Sequence, residues 1–215
     1  PGVRLGTLTG EIEVQQLARA QTVFSGFVGA TTDPAGQGSL TLTVGGTART
    51  ITIDATNDSL TGLSDAINAS GSGVRASVIT DSGGSRLVLK GESGAAKAFT
   101  LTADAGADPA LNRFTYNGAG SAMTLGQAAL DAQFSLDGVA YTRASNSFSD
   151  VIPGVTLTLR QTTIGNPVSI TAERPLAGLR QAVADFTEVF NTLKRDLGEA
   201  RTTTGGDPAT RALDQ

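Results

Sequence analysis

At Pro175 the spacing of apolar residues changes from two to an alternation of three and four, and no single fold element accommodates both. Beyond that point Leu176, Leu179, Val183, Phe186, Phe190, Leu193 and Leu197 are separated by 3, 4, 3, 4, 3 and 4 residues. Such alternation over three heptads is the a/d seam of a helix that packs lengthwise on another helix. Pro175 sits at its start, where a missing N–H costs nothing. Gly198 and the run Thr202–Gly206 are expected to end it, and Asp207-Pro208 to cap a further helix. The same spacing would suit a helix lying on its own domain. The preceding sequence reads as β, however, so a partner helix has to come from a missing part of the chain or from another subunit. Two Phe in the seam favour a bundle thicker than a two-stranded coil.

Upstream the period is two. Residues 8–28 read as extended, with Ile12 and Val14 alternating with Glu11, Glu13 and Gln15. Thr31–Gly38 is a Pro/Gly-rich candidate boundary. Leu40, Leu42 and Val44, then Ile51 and Ile53, flank Gly45-Gly46 as a hairpin whose primed turn needs positive φ. Leu60, Leu63 and Ile67 predict a short helix near 59–69, capped by Asp58 or Ser59. Strands follow at 74–80 and 86–90, with another suggested by Phe99 and Leu101. Residues 104–128 carry no clear period. Asp137-Gly138 predicts a second hairpin, and two more strands follow, one carrying Val155, Leu157 and Leu159, the other Val168 and Ile170.

Composition closes most enzyme chemistry. Among 215 residues there is no Cys and no His, which removes thiol nucleophiles, Ser–His pairs and the usual ligands of zinc, copper and haem. A net charge of -4 argues against nucleic acid as a partner. No apolar run approaches the roughly 18 residues of a membrane span, and no basic-then-apolar signal segment opens the chain. The remaining candidates have simpler readings. Asp54, Asn57 and Asp58 could supply oxygens to calcium, but their spacing is not a calcium loop and suits a strand end and helix cap. Gly36/Gly38 and Gly118/Gly120 lack the strand–helix context of a phosphate loop. Asn57-Asp58-Ser59 and Asn68-Ala69-Ser70 match a common glycosylation tripeptide. Nothing places Asp104 and Asp108 in a cleft, and Lys90, Lys97 and Lys194 have no Ser-x-x-Lys partner. The expected catalytic, cofactor-binding and metal sets are therefore empty, and the chain is read as a non-enzyme. Strand faces are lightly charged and rich in Thr, Ser and Ala: either the protein assembles through them, or the low charge only serves solvation.

Several segments resemble known sequences. Ile51–Asp54, Asn57–Asn68, Gly73–Val78 and Gly84–Leu89 resemble the insertion motif shared by flagellins and hook-associated proteins. Val14–Gln21, Asp131–Gly138 through Asn146, and Val151–Leu159 are similar to blocks of the bacterial flagellar filament cap family, also called hook-associated protein 2. The resemblance spans about residues 8–200; 104–128 and the stretch after Thr203 carry no part of it. It implies two β-rich plate domains, one inserted in the other, followed by a helical leg whose earlier helices would partner the seam. It further implies a homo-oligomeric ring at the distal filament tip, outside the cell, reached by unfolded export through the flagellar secretion channel. Flagellin and the hook–filament junction proteins would be its partners.

The expected fold is thus mainly β with minor α. Residues 1–30 and 129–174 would form a split outer domain, 31–128 an inserted domain, and 175–215 a truncated helical leg with a coiled-coil-type helix. Two other readings stand beside the cap: a flagellin-like or hook–filament junction protein, or an extracellular adhesin or glycan-binding β domain.

Overall fold

The computed structural model describes residues 8–118, 120–172 and 176–202. The fold is mainly β with minor α. In chain order come β1 (Leu8–Gln16), β2 (Ala20–Phe24), β3 (Gly38–Val44), β4 (Thr47–Ile53) and α1 (Leu60–Ala69). They are followed by β5 (Arg75–Asp81), β6 (Gly84–Ser93), β7 (Phe99–Ala103) and β8 (Thr124–Gln127). The last strands are β9 (Ala132–Leu136), β10 (Val139–Arg143), β11 (Ser147–Ile152), β12 (Val155–Thr158) and β13 (Val168–Ala172), before α2 (Leu176–Thr202). Two compact units divide the chain, one holding residues 9–170 and the other holding α2.

The first unit contains two hydrophobic cores. In the larger, the antiparallel sheet β4-β3-β7 and the antiparallel sheet β5-β6-β2-β8 contribute side chains to one cluster with α1. Period-two alternation explains the strands: Leu40 and Leu42 of β3, and Leu87 and Leu89 of β6, are fully buried while their neighbours face out. α1 adds Leu60, Leu63 and Ile67 from one face. It starts where the Ser59 hydroxyl accepts a hydrogen bond from the Gly62 N–H at 3.0 Å, satisfying one of the otherwise unpaired first-turn donors. The region 104–128 builds a 3-10 helix, Pro109–Phe114, that buries Leu111 and Phe114, and then β8.

The smaller core combines the sheet β10-β9-β1-β13 with the hairpin β11-β12. Phe134 lies at its centre, with ring centroids 5.4 Å from Tyr141 and 4.8 Å from Phe148. The turn between β9 and β10 has Asp137 at φ 50° and Gly138 at φ 80°, both positive as a type I′ turn requires.

Three expectations change. The extended run 8–28 does not lie wholly in the split outer domain. β1 pairs with β9 in the smaller core's sheet, whereas β2 pairs with β6 and β8 and buries Val23 in the larger core. The crossing lies at Arg19, not at residue 30, and is matched on return by Leu130. These two exchange backbone hydrogen bonds of 2.8 and 3.0 Å. Buried positions are even-numbered up to the crossing (Ile12, Val14, Ala18) and odd-numbered beyond it (Gln21, Val23, Ser25), so the alternation resumes in the opposite phase as the chain changes sheets. Second, Ser147–Ile152 forms a strand that the residue pattern did not announce. Third, Gly198 does not stop α2, which runs on to Thr202. A single Gly costs a helix interior only about 1 kcal/mol, too little to end one that continues favourably on both sides. Pro175 and the second helix expected at Asp207-Pro208 lie outside the described residues.

Candidate functional site

α2 presents the feature with the strongest consequence. Over 27 residues it spans about 40 Å. Val183, Phe186, Phe190, Leu193 and Leu197 fall within roughly 100° of its circumference and are all exposed, Phe186 by 70%. Val189 beside them is exposed too. Phe186 and Phe190, one turn apart, stack with centroids 6.3 Å apart. The polar side is organised within the helix itself: Gln181 Nε2 donates to Asp185 Oδ1 at 2.7 Å, and Thr187 Oγ1 donates to the Val183 carbonyl at 2.7 Å. Full burial of a large apolar side chain contributes about 1.5–3 kcal/mol, and the five residues are each roughly half exposed, so about 4–8 kcal/mol of burial is unrealised. Of the predicted seam, Leu176 and Leu179 lie on the helix, but their side chains are outside the described set.

The weaker candidates take structural places. Asp54 accepts from the Thr56 hydroxyl at 2.6 Å and the Thr56 N–H at 2.8 Å, and the hydroxyl bond above all holds its carboxyl below the ordinary carboxylate value. Asn57 is spent locally, accepting from the Asp54 N–H and donating to the Thr52 carbonyl. Asp58 accepts from Gln37 at 3.0 Å. Asn68 is used twice on Ala76. Asp104 accepts from the Thr41 hydroxyl, and Asp108 caps the 3-10 helix through the Ala110 N–H. They do not face each other as acid and base. Lys97 pairs with Glu92 at 3.0 Å. Gly36, Gly38, Gly118 and Gly120 are all positive-φ turn or strand-start residues. Among the described residues no three acidic side chains converge as metal ligands.

Sequence reasoning missed the side chains that hold the backbone where the chain passes between the two cores. Asn146 Oδ1 accepts from the Ala18 N–H at 2.7 Å and its Nδ2 donates to the Ala18 carbonyl at 2.9 Å. Ala95 N–H donates to Asp131 Oδ1 at 2.7 Å, and Gln127 Nε2 donates to the Ala20 carbonyl at 2.7 Å. These three polar side chains and their backbone partners sit close to the crossing defined by Arg19 and Leu130. Their only signal in the sequence is an Asn or Asp next to a run of small residues, which is also how an ordinary loop reads.

Comparison with known proteins follows the same architecture. Residues 129–212 match the family model described as flagellar hook-associated protein 2 C-terminus, and residues 39–93 match the flagellin hook IN motif. The chain is 34% identical over 228 aligned positions to the B-type flagellar hook-associated protein 2 of Pseudomonas aeruginosa, covering 95% of this chain and 48% of that protein. Flagellar hook-associated protein 2 of Escherichia coli (strain K12) is 38% identical over 149 positions, covering 65% of this chain and 31% of that protein. The chain therefore spans about half the length, or less, of these relatives. Among solved structures, FliD (HAP2) from Pseudomonas aeruginosa superposes with a TM-score of 0.73 at 32% identity, covering 96% of this chain and 97% of that one. The D2-D3 domains of the flagellar cap protein FliD from Escherichia coli superpose with a TM-score of 0.72 at 30% identity, covering 80% and 92%. With 96% of this chain superposed on 97% of a solved FliD (HAP2) at 32% identity, and with residues 129–212 matching the family model, the chain belongs to the flagellar hook-associated protein 2 family.

Proposed function

We propose that the protein carrying this chain is a structural cap at the distal end of the bacterial flagellar filament. It would work without catalysis, as a homo-oligomeric ring that holds the growing tip and promotes folding and insertion of flagellin. The smaller core, split by the chain, and the larger core inserted in it would be the two plate domains. α2 would be part of a helical leg, with Leu176, Leu179, Val183, Phe186, Phe190, Leu193 and Leu197 as its packing seam against other leg helices. Flagellin and the hook–filament junction proteins would be its neighbours, outside the cell, after export through the flagellar secretion system.

One observation carries the reading: a five-residue apolar stripe left in solvent by a chain that superposes on 97% of the solved FliD (HAP2) chain. An amphipathic helix of this kind gains stability from packing, not from propensity. In a strain lacking the full-length protein, flagellin should be exported but accumulate in the medium unpolymerised. The wild-type gene should restore filaments, and Phe186→Asp or Phe190→Asp should restore few or none. Long filaments in the deletion strain itself would reject the cap reading. Full motility with both Asp variants would reject the seam.

A further inference from the structure

The larger core is electrically polarised along β3. At the end where α1 finishes lies an open groove of about 500 Å³ lined by Asn68, Gly71, Gly73, Arg75, Lys90 and Glu92. Arg75 and Lys90 stand directly opposite each other on β5 and β6. Side chains so placed have Cβ atoms about 4.5–5.5 Å apart, and like charges there repel. Both are exposed, and among the described residues neither has a carboxylate in ion-pair reach. Arg49 and Lys97 line the adjoining hollow, which shares Gly71 with the groove. Arg49 has a local reason to be there, since cations favour the carbonyl end of a helix, and Lys97 has Glu92. The Arg75–Lys90 pair has none.

The opposite end of β3 carries the complementary charge. Gln37 bridges Asp58, to whose carboxylate it donates, and Asp108, whose N–H donates to the Gln37 carbonyl. Gly38 at the start of β3 pairs with Ile53, the residue before Asp54, and the Ser39 carbonyl accepts from the Asp104 N–H. Asp54, Asp58, Asp104 and Asp108 thus ring one end of the module while Arg49, Arg75, Lys90 and Lys97 gather at the other.

We propose that the Arg75–Lys90 groove is a docking site for the carboxylate-rich end of the larger core in a second copy of this chain. The inference rests on the assembly reading above and names the surface through which neighbouring copies meet. Charge complementarity selects the occupant. Four cations with one carboxylate, Glu92, among them meet four carboxylates with one cation, Arg113, beside them, and because the two surfaces do not overlap, each copy can use both at once. Such a contact is heterologous, and it closes into a ring when the rotation between copies completes a circle. A nucleic acid would need a broader positive surface than a chain of net charge -4 provides. Gly71 and Gly73 leave the groove walls low, so a neighbour's backbone can approach the two cations closely.

The test is self-association of this chain, followed by light scattering and sedimentation at ionic strengths near 0.02 and 0.5 M, where the screening length falls several-fold. Wild type should associate at low salt and dissociate at high salt. Arg75→Glu/Lys90→Glu should weaken association at least about tenfold, as should Asp58→Lys/Asp108→Lys. Each doubly swapped variant should be monomeric alone, and the two mixed should associate again. If the Lys variant melts early, Asp58→Asn/Asp108→Asn keeps both acceptor oxygens while removing the charges, and should weaken association in the same direction. Association that ignores the swaps, or a mixture that fails to recover it, overturns this surface while leaving the cap reading intact. A wild-type chain that stays monomeric at low salt also overturns it, and the filament experiment then judges the cap reading separately. Heparin binding that is lost in Arg75→Glu/Lys90→Glu, without any change in self-association, assigns the cations to an acidic polymer and overturns the proposal as well.

Discussion

Asn146 substitutes for a β-strand residue opposite Ala18: its amide accepts from the Ala18 N–H and donates to the Ala18 carbonyl, across 128 positions of sequence. The side-chain amide has the donor and acceptor geometry of a peptide group, so it supplies one ladder rung where the chain has no strand to offer. Gln21 treats buried Phe99 in the same way, at 2.8 and 3.0 Å, and Asn68 does so for Ala76. Asn146→Ala strands the N–H and C=O of a buried residue and should cost about 2–3 kcal/mol by urea denaturation. Asn146→Asp should cost at least as much, because an acceptor then faces the Ala18 carbonyl. A conservative result for Asp would mean that the donated hydrogen bond contributes little.

Phe134 is the obligate centre of the smaller core. Only 1% of it is exposed, and it has an aromatic ring on either side. Phe134→Ala should lower stability by about 3–5 kcal/mol, through lost burial and the cavity left between Tyr141 and Phe148. Tyr141→Leu, at the half-buried edge of the stack, should cost clearly less. Equal losses at the two sites would argue that the stack, not the burial, stabilises this core.

How far the sequence carried these conclusions varies with the element. The hairpins at Gly45-Gly46 and Asp137-Gly138 were readable because turn chemistry and alternation agree there. The α2 seam was readable because nothing interrupts its heptads, and the structure leaves its described residues exposed. The passage of the chain between cores was not readable. Leu17, Ala18 and Arg19 contain no turn residue, and burial alternates on either side of them, so local pattern cannot tell which sheet Val23 joins. β11 escaped notice because Ser149 and Asp150 separate Phe148 from Val151 and Ile152 and break the period-two pattern. The 3-10 helix at Pro109 buries only Leu111 and Phe114, a spacing too short to establish a period. Arg75 and Lys90 look like ordinary surface charges until strand register sets them side by side.

Gly38 separates contact from conformation. It has φ +135°, and a Cβ there would come within 2.6 Å of the Ala107 Cα, a backbone atom that cannot rotate away. Gly38→Ala should therefore destabilise by more than about 2 kcal/mol, combining strain with a clash. Gly46 has φ +83° but open space around the same position. Gly46→Ala should cost only the conformational part, about 1 kcal/mol. Thermal melts of the two variants measure the difference directly, and similar values would show that the segment at Ala107 yields freely.

Asp150 and Arg143 give the smaller core a pH dependence with a defined sign. Arg143 Nε donates to Asp150 Oδ1 at 3.1 Å and Nη2 lies 2.9 Å from Oδ2, a two-pronged contact across the β10 and β11 strands. The hydrogen bond from Arg143 holds the Asp150 carboxyl below its ordinary value of 3.8. A carboxyl whose value is lowered in the folded chain contributes its stability above the ordinary value and loses it as pH falls through 3.8 and below. Both groups reach solvent, so the contribution is small and weakened by salt. Asp150→Asn should accordingly lower the urea midpoint near neutral pH, and the gap to wild type should close at the most acid pH where the chain still folds. Arg143→Gln should reproduce the loss at neutral pH and flatten the same acid dependence. A gap that persists unchanged into acid would assign the effect of Asp150→Asn to packing instead of charge.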